Sequence, residues 1–310
     1  MPSSQNRVKH SLGTRLFAYL QTMRPANIVT AFADILAGFA VAGGVIAFRD
    51  GISAYPDGLV WLLLATFGLY GGGVVFNDYF DAELDARERP ERPIPSGRAS
   101  RTGVGILGVL LFFFGWSAAF QVNAYSLVLA VLITAGSLVY DRWAKHSTLW
   151  GPLLMGLLRG WNLLLGCSIV PIAMLMEWYL PFIPIAYIAS ITLISQGEVH
   201  GGSRKSGLSS LGLIILVTGA LIVLGLHSSY EFMVAVPFVI LFAAAVFPPF
   251  LKAALNPNPA FIRQAVKRGV ICLILLNSAL AAGFGGFFLG LFVAMLLPVS
   301  AGLAKIFAVT

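Results

Sequence analysis

Charge is scarce in this chain. Asp, Glu, Lys and Arg make up 11% of its 310 residues, against 58% hydrophobic residues. A water-exposed fold carries about 25% charged residues to cover its surface. The composition therefore excludes a soluble enzyme and a disordered chain, and a mean hydropathy of +0.86 points to lipid as the solvent. Cysteine is nearly absent. Cys167 and Cys272 both lie in apolar runs, which excludes a disulfide framework and offers no metal-ligand spacing. Alternating apolar and polar residues are also missing, which argues against a β-barrel. Residues 1–23 are polar and basic. They lack an apolar stretch ending in small residues, so they read as a cytoplasmic segment rather than a cleaved leader. The net charge of +7 belongs to the loops of a helical membrane protein and does not imply nucleic-acid binding.

What the chain has is long apolar runs. A membrane-spanning helix needs about 20 mostly apolar residues. Nine runs qualify: 26–48, 59–79, 103–121, 124–140, 149–170, 178–196, 208–226, 231–251 and 269–296. The expected fold is all-α, one polytopic bundle of nine transmembrane helices over residues 1–310. With the N-terminus in the cytoplasm, seventeen of the twenty Lys and Arg residues fall in inner segments. Arg49 and Lys305 fall outside, and Arg159 lies within a span. This division follows the positive-inside rule and predicts a C-terminus on the outer face. The chemistry is expected at the cytoplasmic side of a bacterial-type inner (plasma) membrane.

The thirteen acidic residues are unevenly placed. The end of the second span reads Asn77-Asp78-Tyr79-Phe80-Asp81-Ala82-Glu83-Leu84-Asp85. On a helix Asn77, Asp81 and Asp85 are four apart, and Asp78 shares their face. Clustered carboxylates repel each other and repel phosphate. They become useful when hard cations stand between them and the ligand, as Mg²⁺ does when one or two carboxylates and substrate phosphates hold it. A basic, proline-rich turn follows, running from Arg87 to Arg98. Its arginines Arg92 and Arg98 have the fork geometry that pairs with phosphate oxygens, although such arginines also set topology.

These residues carry a resemblance. Asn-Asp-x-x-Asp-x-x-x-Asp at the end of span two, followed by Arg92-Pro93-Ile94-Pro95-Ser96-Gly97-Arg98, resembles the first signature of the UbiA superfamily of intramembrane prenyltransferases. Arg24-Pro25-Ala26-Asn27 is similar to that family's approach to its first helix. Tyr140-Asp141-Arg142-Trp143-Ala144-Lys145 is similar to its tyrosine-and-lysine segment. The resemblance implies a bundle around a central cavity open to the bilayer. It also implies Mg²⁺-dependent transfer of an isoprenoid chain from a polyprenyl diphosphate to a small aromatic or cyclitol/polyol acceptor. Asn77, Asp78, Asp81, Asp85 and Glu198 would hold metal, with Asp81, Asp85, Glu198 and Lys145 catalytic. Tyr140, Arg92, Arg98, Arg204 and Lys205 would meet substrate.

The second signature departs from the pattern. After span six the chain reads Gly197-Glu198-Val199-His200-Gly201-Gly202-Ser203-Arg204-Lys205. Glu198 stands for the first acid, and Gly202 stands where a second is expected. Gly202→Asp would then supply the missing ligand. His200 reads more readily as a helix-end polar residue than as a metal ligand. The Gly-Glu-Val-His-Gly-Gly string resembles the divergent EboC-like branch. The alternative is a catalytically degenerate lipid-binding or transport protein of the same fold; an ion-coupled transporter is a third class.

Three polar residues fall within spans, where they are costly. Arg159 either faces a cavity or snorkels to headgroups, and Asn162 shares its face. Asp34 either orients an acceptor or pairs with Arg159. The aromatic run Phe112, Phe113, Phe114 and Trp116 offers one or two residues to an isoprenoid tunnel. The oligomeric state is left open by the sequence.

Overall fold

The computed structural model describes residues 11–44, 54–199 and 201–307. His200 and Arg49 lie outside the described residues, as do Arg7 and Lys9 of the seventeen inner cations. Within the described residues the chain is all helical. It forms α1 (Leu12–Thr22), α2 (Pro25–Val41), α3 (Ala54–Phe80), the short α4 (Ala82–Glu88), α5 (Arg101–Phe120) and α6 (Ala124–Arg142). These are followed by α7 (Trp150–Cys167), the short α8 (Pro171–Met176), α9 (Phe182–Ser195), α10 (Arg204–Val223) and α11 (Phe232–Leu255). The chain ends with α12 (Pro259–Gly285), α13 (Phe287–Ala294) and α14 (Leu296–Ile306). Eight stretches are long and apolar enough to cross a membrane, and the shorter α9 is apolar as well. The protein is an integral, multi-pass helical bundle.

Local signals set the helix starts. Ser100, Asn123, Ser203 and Asn258 each accept a backbone N–H of the first turn, which satisfies one of the donors a helix start leaves unpaired. Pro25 and Pro259 occupy first-turn positions, where a missing N–H costs nothing. Helices α2 and α12 are buried along most of their length, whereas the outer helices turn much of their surface to lipid. Backbone packing brings α2 against α7. A Cβ on Gly38 would lie 2.2 Å from the Leu163 carbonyl oxygen, and one on Gly166 would lie 2.5 Å from that of Ile35. That close approach is what places Asp34 against Arg159 and Asn162.

The nine expected spans match the structure closely until the end of the chain. The run 269–296 is divided there. Helix α12 begins at Pro259 and ends at Gly285, and Gly286 takes a φ of 89°. Glycine adopts that value without steric cost, and the chain reverses. Helices α13 and α14 return along the bundle. The Ser300 hydroxyl donates to the Ala26 carbonyl at 2.9 Å, and Phe307 stacks on Phe17 at 5.3 Å. Lys305 therefore lies at the same end as α1 and the acidic cluster, opposite to where the hydropathy placed it.

Candidate active site at the acidic end of the bundle

One face of α3 builds one wall of a central cavity of about 420 Å³. Thr66, Tyr70, Gly73 and Asn77 all line it, in steps of three or four residues, as one helical face requires. Thr66 to Asn77 spans about 16 Å of helix rise. The opposite walls are largely apolar, with Ile133, Leu158, Ile191 and Val270 among them. Asn77, Tyr140, Arg159, Asn162 and Glu198, all expected at the site, line this cavity together with Arg24 and Asp141.

At the mouth the helical ladder runs on across the break at Asp81. Its N–H bonds the Asn77 carbonyl at 3.0 Å, and the Asp85 N–H bonds the Asp81 carbonyl at 2.8 Å. The expected face is therefore present, but each acid on it faces a cation. Asp78 receives Arg24 at 2.6 Å and Arg92 at 3.5 Å. Asp85 receives Arg92 at 2.7 Å. Asp81 is paired with Lys145. Asn77 accepts from Arg24 at 3.2 Å and donates to Asp141 at 2.9 Å. Among the described residues no three carboxylate, imidazole or thiol groups converge as a metal cage. The guanidinium and ammonium groups stand between the acids instead, so the mouth of the site is a network of alternating charge.

The donor chemistry nevertheless fits a hard divalent cation. Asn77, Asp78, Asp81, Asp85, Asp141 and Glu198 offer only oxygen to a metal, the ligand type that Mg²⁺ takes. The cations fit an anion in turn: Arg24 Nε and Arg92 Nε are buried without a hydrogen-bond partner, which leaves each guanidinium with donor capacity in reserve. Arg24 is also the one non-glycine residue with positive φ among the described residues, at 48°. Such a backbone costs roughly 1–3 kcal/mol and persists only where its surroundings hold it. Here the pairs with Asp78 and Asn77 hold it.

Glu198 sits in the turn after α9, half-buried. Burial pushes its carboxyl above the usual range, against the pull of Arg89 and Arg263. Gly202, the position of the absent acid, donates its N–H to the Pro257 carbonyl at 3.1 Å. A Cβ there would meet Ile262 Cδ1 at 3.0 Å.

Several expected residues are placed elsewhere. Arg98 staples its own turn, donating to Ser96, Gln21 and the Glu91 carbonyl. Arg204 and Lys205 are exposed in the first turn of α10 and do not line the cavity. Their distance from the site follows from the Gly-rich turn, which folds back onto Pro257 before α10 begins. Asp34 is fully buried behind the cavity wall, held by Arg159 at 2.9 Å, Asn162 at 3.0 Å and Asn277 at 2.6 Å. The pairing with Arg159 is thus the arrangement found. No member of the aromatic run lines the cavity: Phe112 stacks on Phe76, Phe113 and Phe114 face outward, and Trp116 donates to Thr134. Sequence reasoning left Arg24, Tyr70, Asp141 and Asn277 out of the site. Arg24 and Asp141 stood inside quoted motifs and were legible there. Tyr70 carried the three-and-four spacing from Asn77.

A family model of UbiA prenyltransferases matches residues 36–268. The chain belongs to the UbiA prenyltransferase family. Among its relatives, the digeranylgeranylglyceryl phosphate synthase of Methanothrix thermoacetophila is 39% identical over 47% of this chain and 52% of its own length. That of Methanococcoides burtonii is 27% identical over 79% of this chain and 84% of its own. The chain spans about half the length of the first curated relatives it matches. The UbiA fold is shared with a homologue from Archaeoglobus fulgidus solved bound to GPP and Mg²⁺, with a TM-score of 0.63 and 15% identity over 90% of this chain and 99% of that one. An apo homologue from Aeropyrum pernix K1 gives a TM-score of 0.65 at 16% identity, over 79% of this chain and 96% of that one.

Proposed function

We propose that this protein transfers an isoprenoid chain from a polyprenyl diphosphate to a small acceptor, and does so in a Mg²⁺-dependent way at the cytoplasmic end of the bundle. One observation carries the reading: Arg24, Asn77, Asp141 and Glu198 line one end of a largely apolar cavity, and three acids paired with Arg24, Arg92 and Lys145 continue the face of Asn77 beyond it. The apolar walls suit a polyprenyl tail. The mouth suits a diphosphate delivered with a divalent cation, because acids and bases there are matched to metal and phosphate respectively.

Asn77, Asp78, Asp81, Asp85 and Glu198 would hold Mg²⁺, which supplies stabilisation of charge on the departing diphosphate. Arg24, Arg92 and Lys145 turn from the acids to the phosphate oxygens as the substrate docks. They bind the same developing charge. The bond between the allylic carbon and the diphosphate oxygen breaks, and that carbon bonds to an oxygen or electron-rich carbon of the acceptor. The acceptor gives up a proton, and diphosphate leaves. Tyr140 lines the cavity at the level of Asn77 and shapes the space around the allylic carbon.

Relatives named for digeranylgeranylglyceryl phosphate support an isoprenoid donor. The Gly-Glu-Val-His-Gly-Gly string and the absent second acid at Gly202 support, in this reading, a divergent EboC-like branch acting on an aromatic or cyclitol/polyol acceptor. The same absent acid favours a second reading, a lipid-binding protein that holds the diphosphate without turnover. Calorimetry with geranylgeranyl diphosphate in detergent, with and without Mg²⁺, tests the shared part of both. Binding is expected to need Mg²⁺ and to weaken at least tenfold in Asp81→Asn, since a neutral amide is a poorer ligand for a hard ion. Equal binding by this variant removes the metal assignment.

A further inference from the structure

Beneath the acidic mouth the cavity has a polar floor at mid-membrane depth. Asp34 lies nine residues into α2 and Arg159 nine into α7, each about 14 Å of rise from the acidic end, close to half of a bilayer's hydrocarbon thickness. Four helices meet there. Asp34 from α2 receives Arg159 and Asn162 from α7 and Asn277 from α12, while Thr66 and Tyr70 come from α3. Polar side chains at this depth are expensive and tend to mark function.

Counting donors and acceptors shows what the floor offers. Both Asp34 oxygens are occupied. The Asn162 amide gives its two donors to Asp34 and the Ala31 carbonyl, and its oxygen receives the Thr66 hydroxyl. Arg159 donates to Asp34, to Thr30 at 2.8 Å and to the Tyr70 oxygen at 3.2 Å, and its guanidinium lies over the Tyr70 ring at 4.7 Å. Arg159 thus spends three of its five donors, and on α3 two further capacities are left on side chains that line the cavity. Tyr70 receives a hydrogen bond and its own proton has no acceptor among the described residues. Thr66 has spent its proton on Asn162 and retains lone pairs. One donor and one acceptor, four residues apart on the same helical face, match the two needs of a hydroxyl group. The Arg159 charge is already balanced by Asp34, so the floor presents no net positive charge to an anion.

From this inventory we infer that Tyr70 and Thr66 are the acceptor-recognising residues, and that they select a neutral, hydroxyl-bearing acceptor over an anionic one. Asp34 and Asn277 are positioning residues: they fix Arg159 and Asn162, which in turn orient Tyr70 and Thr66. This rests on the transferase reading for the acceptor's role. The recognition itself is independent of turnover.

The test uses the full-length protein in nanodiscs with two probes, 1-O-octylglycerol and its 3-phosphate. Binding is measured by calorimetry in the presence of geranylgeranyl diphosphate and Mg²⁺, and transfer by mass spectrometry. The neutral diol is expected to bind more tightly than its phosphate. Tyr70→Phe and Thr66→Val each remove one hydrogen bond to the diol, worth roughly 0.5–1.5 kcal/mol, along with the bond to Arg159 or Asn162. Each should weaken binding of the diol, and raise its KM, by about three- to tenfold, with kcat and donor affinity little changed. Thr66→Ser should restore wild-type affinity, an outcome that a merely structural role for the methyl group would not give. Tighter binding of the phosphate, undiminished binding by both Tyr70→Phe and Thr66→Val, or no binding of either probe overturns the inference. Binding with the expected selectivity but no product overturns the transferase reading alone.

Discussion

Arg92 joins two buried carboxylates, Asp78 and Asp85, from the turn that follows them. Removing one partner from a buried ion pair leaves an uncompensated charge, at a cost of about 3–5 kcal/mol. Arg92→Met is therefore expected to lower the melting temperature in detergent markedly. Millimolar Mg²⁺ should raise the variant's melting temperature more than the wild type's, because a divalent ion can stand between the freed carboxylates. Equal shifts would show that the acids do not share a cation site. The acids themselves were legible in the sequence, since the spacing of Asn77, Asp81 and Asp85 needs only helical geometry. The cations Arg24, Arg92 and Lys145 stood in the motifs too, but their pairing with particular acids was not legible. Which cation meets which acid depends on how α1, α3 and α6 close around the mouth, and no local pattern encodes that. Asp34 shows the same limit. Its isolation in an apolar run demanded a partner, yet Asn277 lies 243 residues away.

Between residues and the bundle, the turn that follows α9 decides how the second signature works. Gly202 was expected to accept an aspartate that would complete a metal site. The structure points a Cβ at this position toward Ile262, which is buried. Gly202→Asp should then overpack this contact, costing about 1–3 kcal/mol, and leave the Mg²⁺ concentration for half-maximal donor binding unchanged. A fall in that concentration, seen by titrating Mg²⁺ into the variant, would show that the aspartate does reach the site. The misplaced ninth span has a related cause. Hydropathy is continuous across Gly285 and Gly286, so a window average cannot see a reversal made by one backbone angle. The basic residues Arg263, Lys267 and Arg268 also hid the first turns of α12, since they interrupt the apolar run without interrupting the helix.

Across the whole molecule, the division of charge is sharper in the structure than in the sequence. The return of α13 and α14 brings Lys305 to the end that carries the acidic cluster, and with it removes one of the two expected outer cations. The positive-inside rule supports the proposal that this end faces the cytoplasm, and on that proposal Ser11 and Ala304 are both expected on the inner side. Cysteine labels at Ser11 and Ala304, in a background lacking Cys167 and Cys272, should react only after permeabilisation; labelling of position 304 from the outer face would contradict the fold at its C-terminal hairpin. The bundle, its polytopic character and the acidic mouth were readable from composition, run lengths and one motif. The polar floor was half readable, through Asp34, Arg159 and Asn162, because its other half comes from α3 and α12. The central claim, that the acidic mouth releases diphosphate from a prenyl donor held in the cavity, is tested most directly by one measurement. Purified protein in nanodiscs is given geranylgeranyl diphosphate and a panel of aromatic and polyol acceptors, and products are read by mass spectrometry across a Mg²⁺ series. The account predicts an acceptor heavier by one prenyl group, in step with free diphosphate, only when Mg²⁺ is present and not with Asp81→Asn. Retention of intact donor with every acceptor, or product formed equally well by Asp81→Asn, would contradict it.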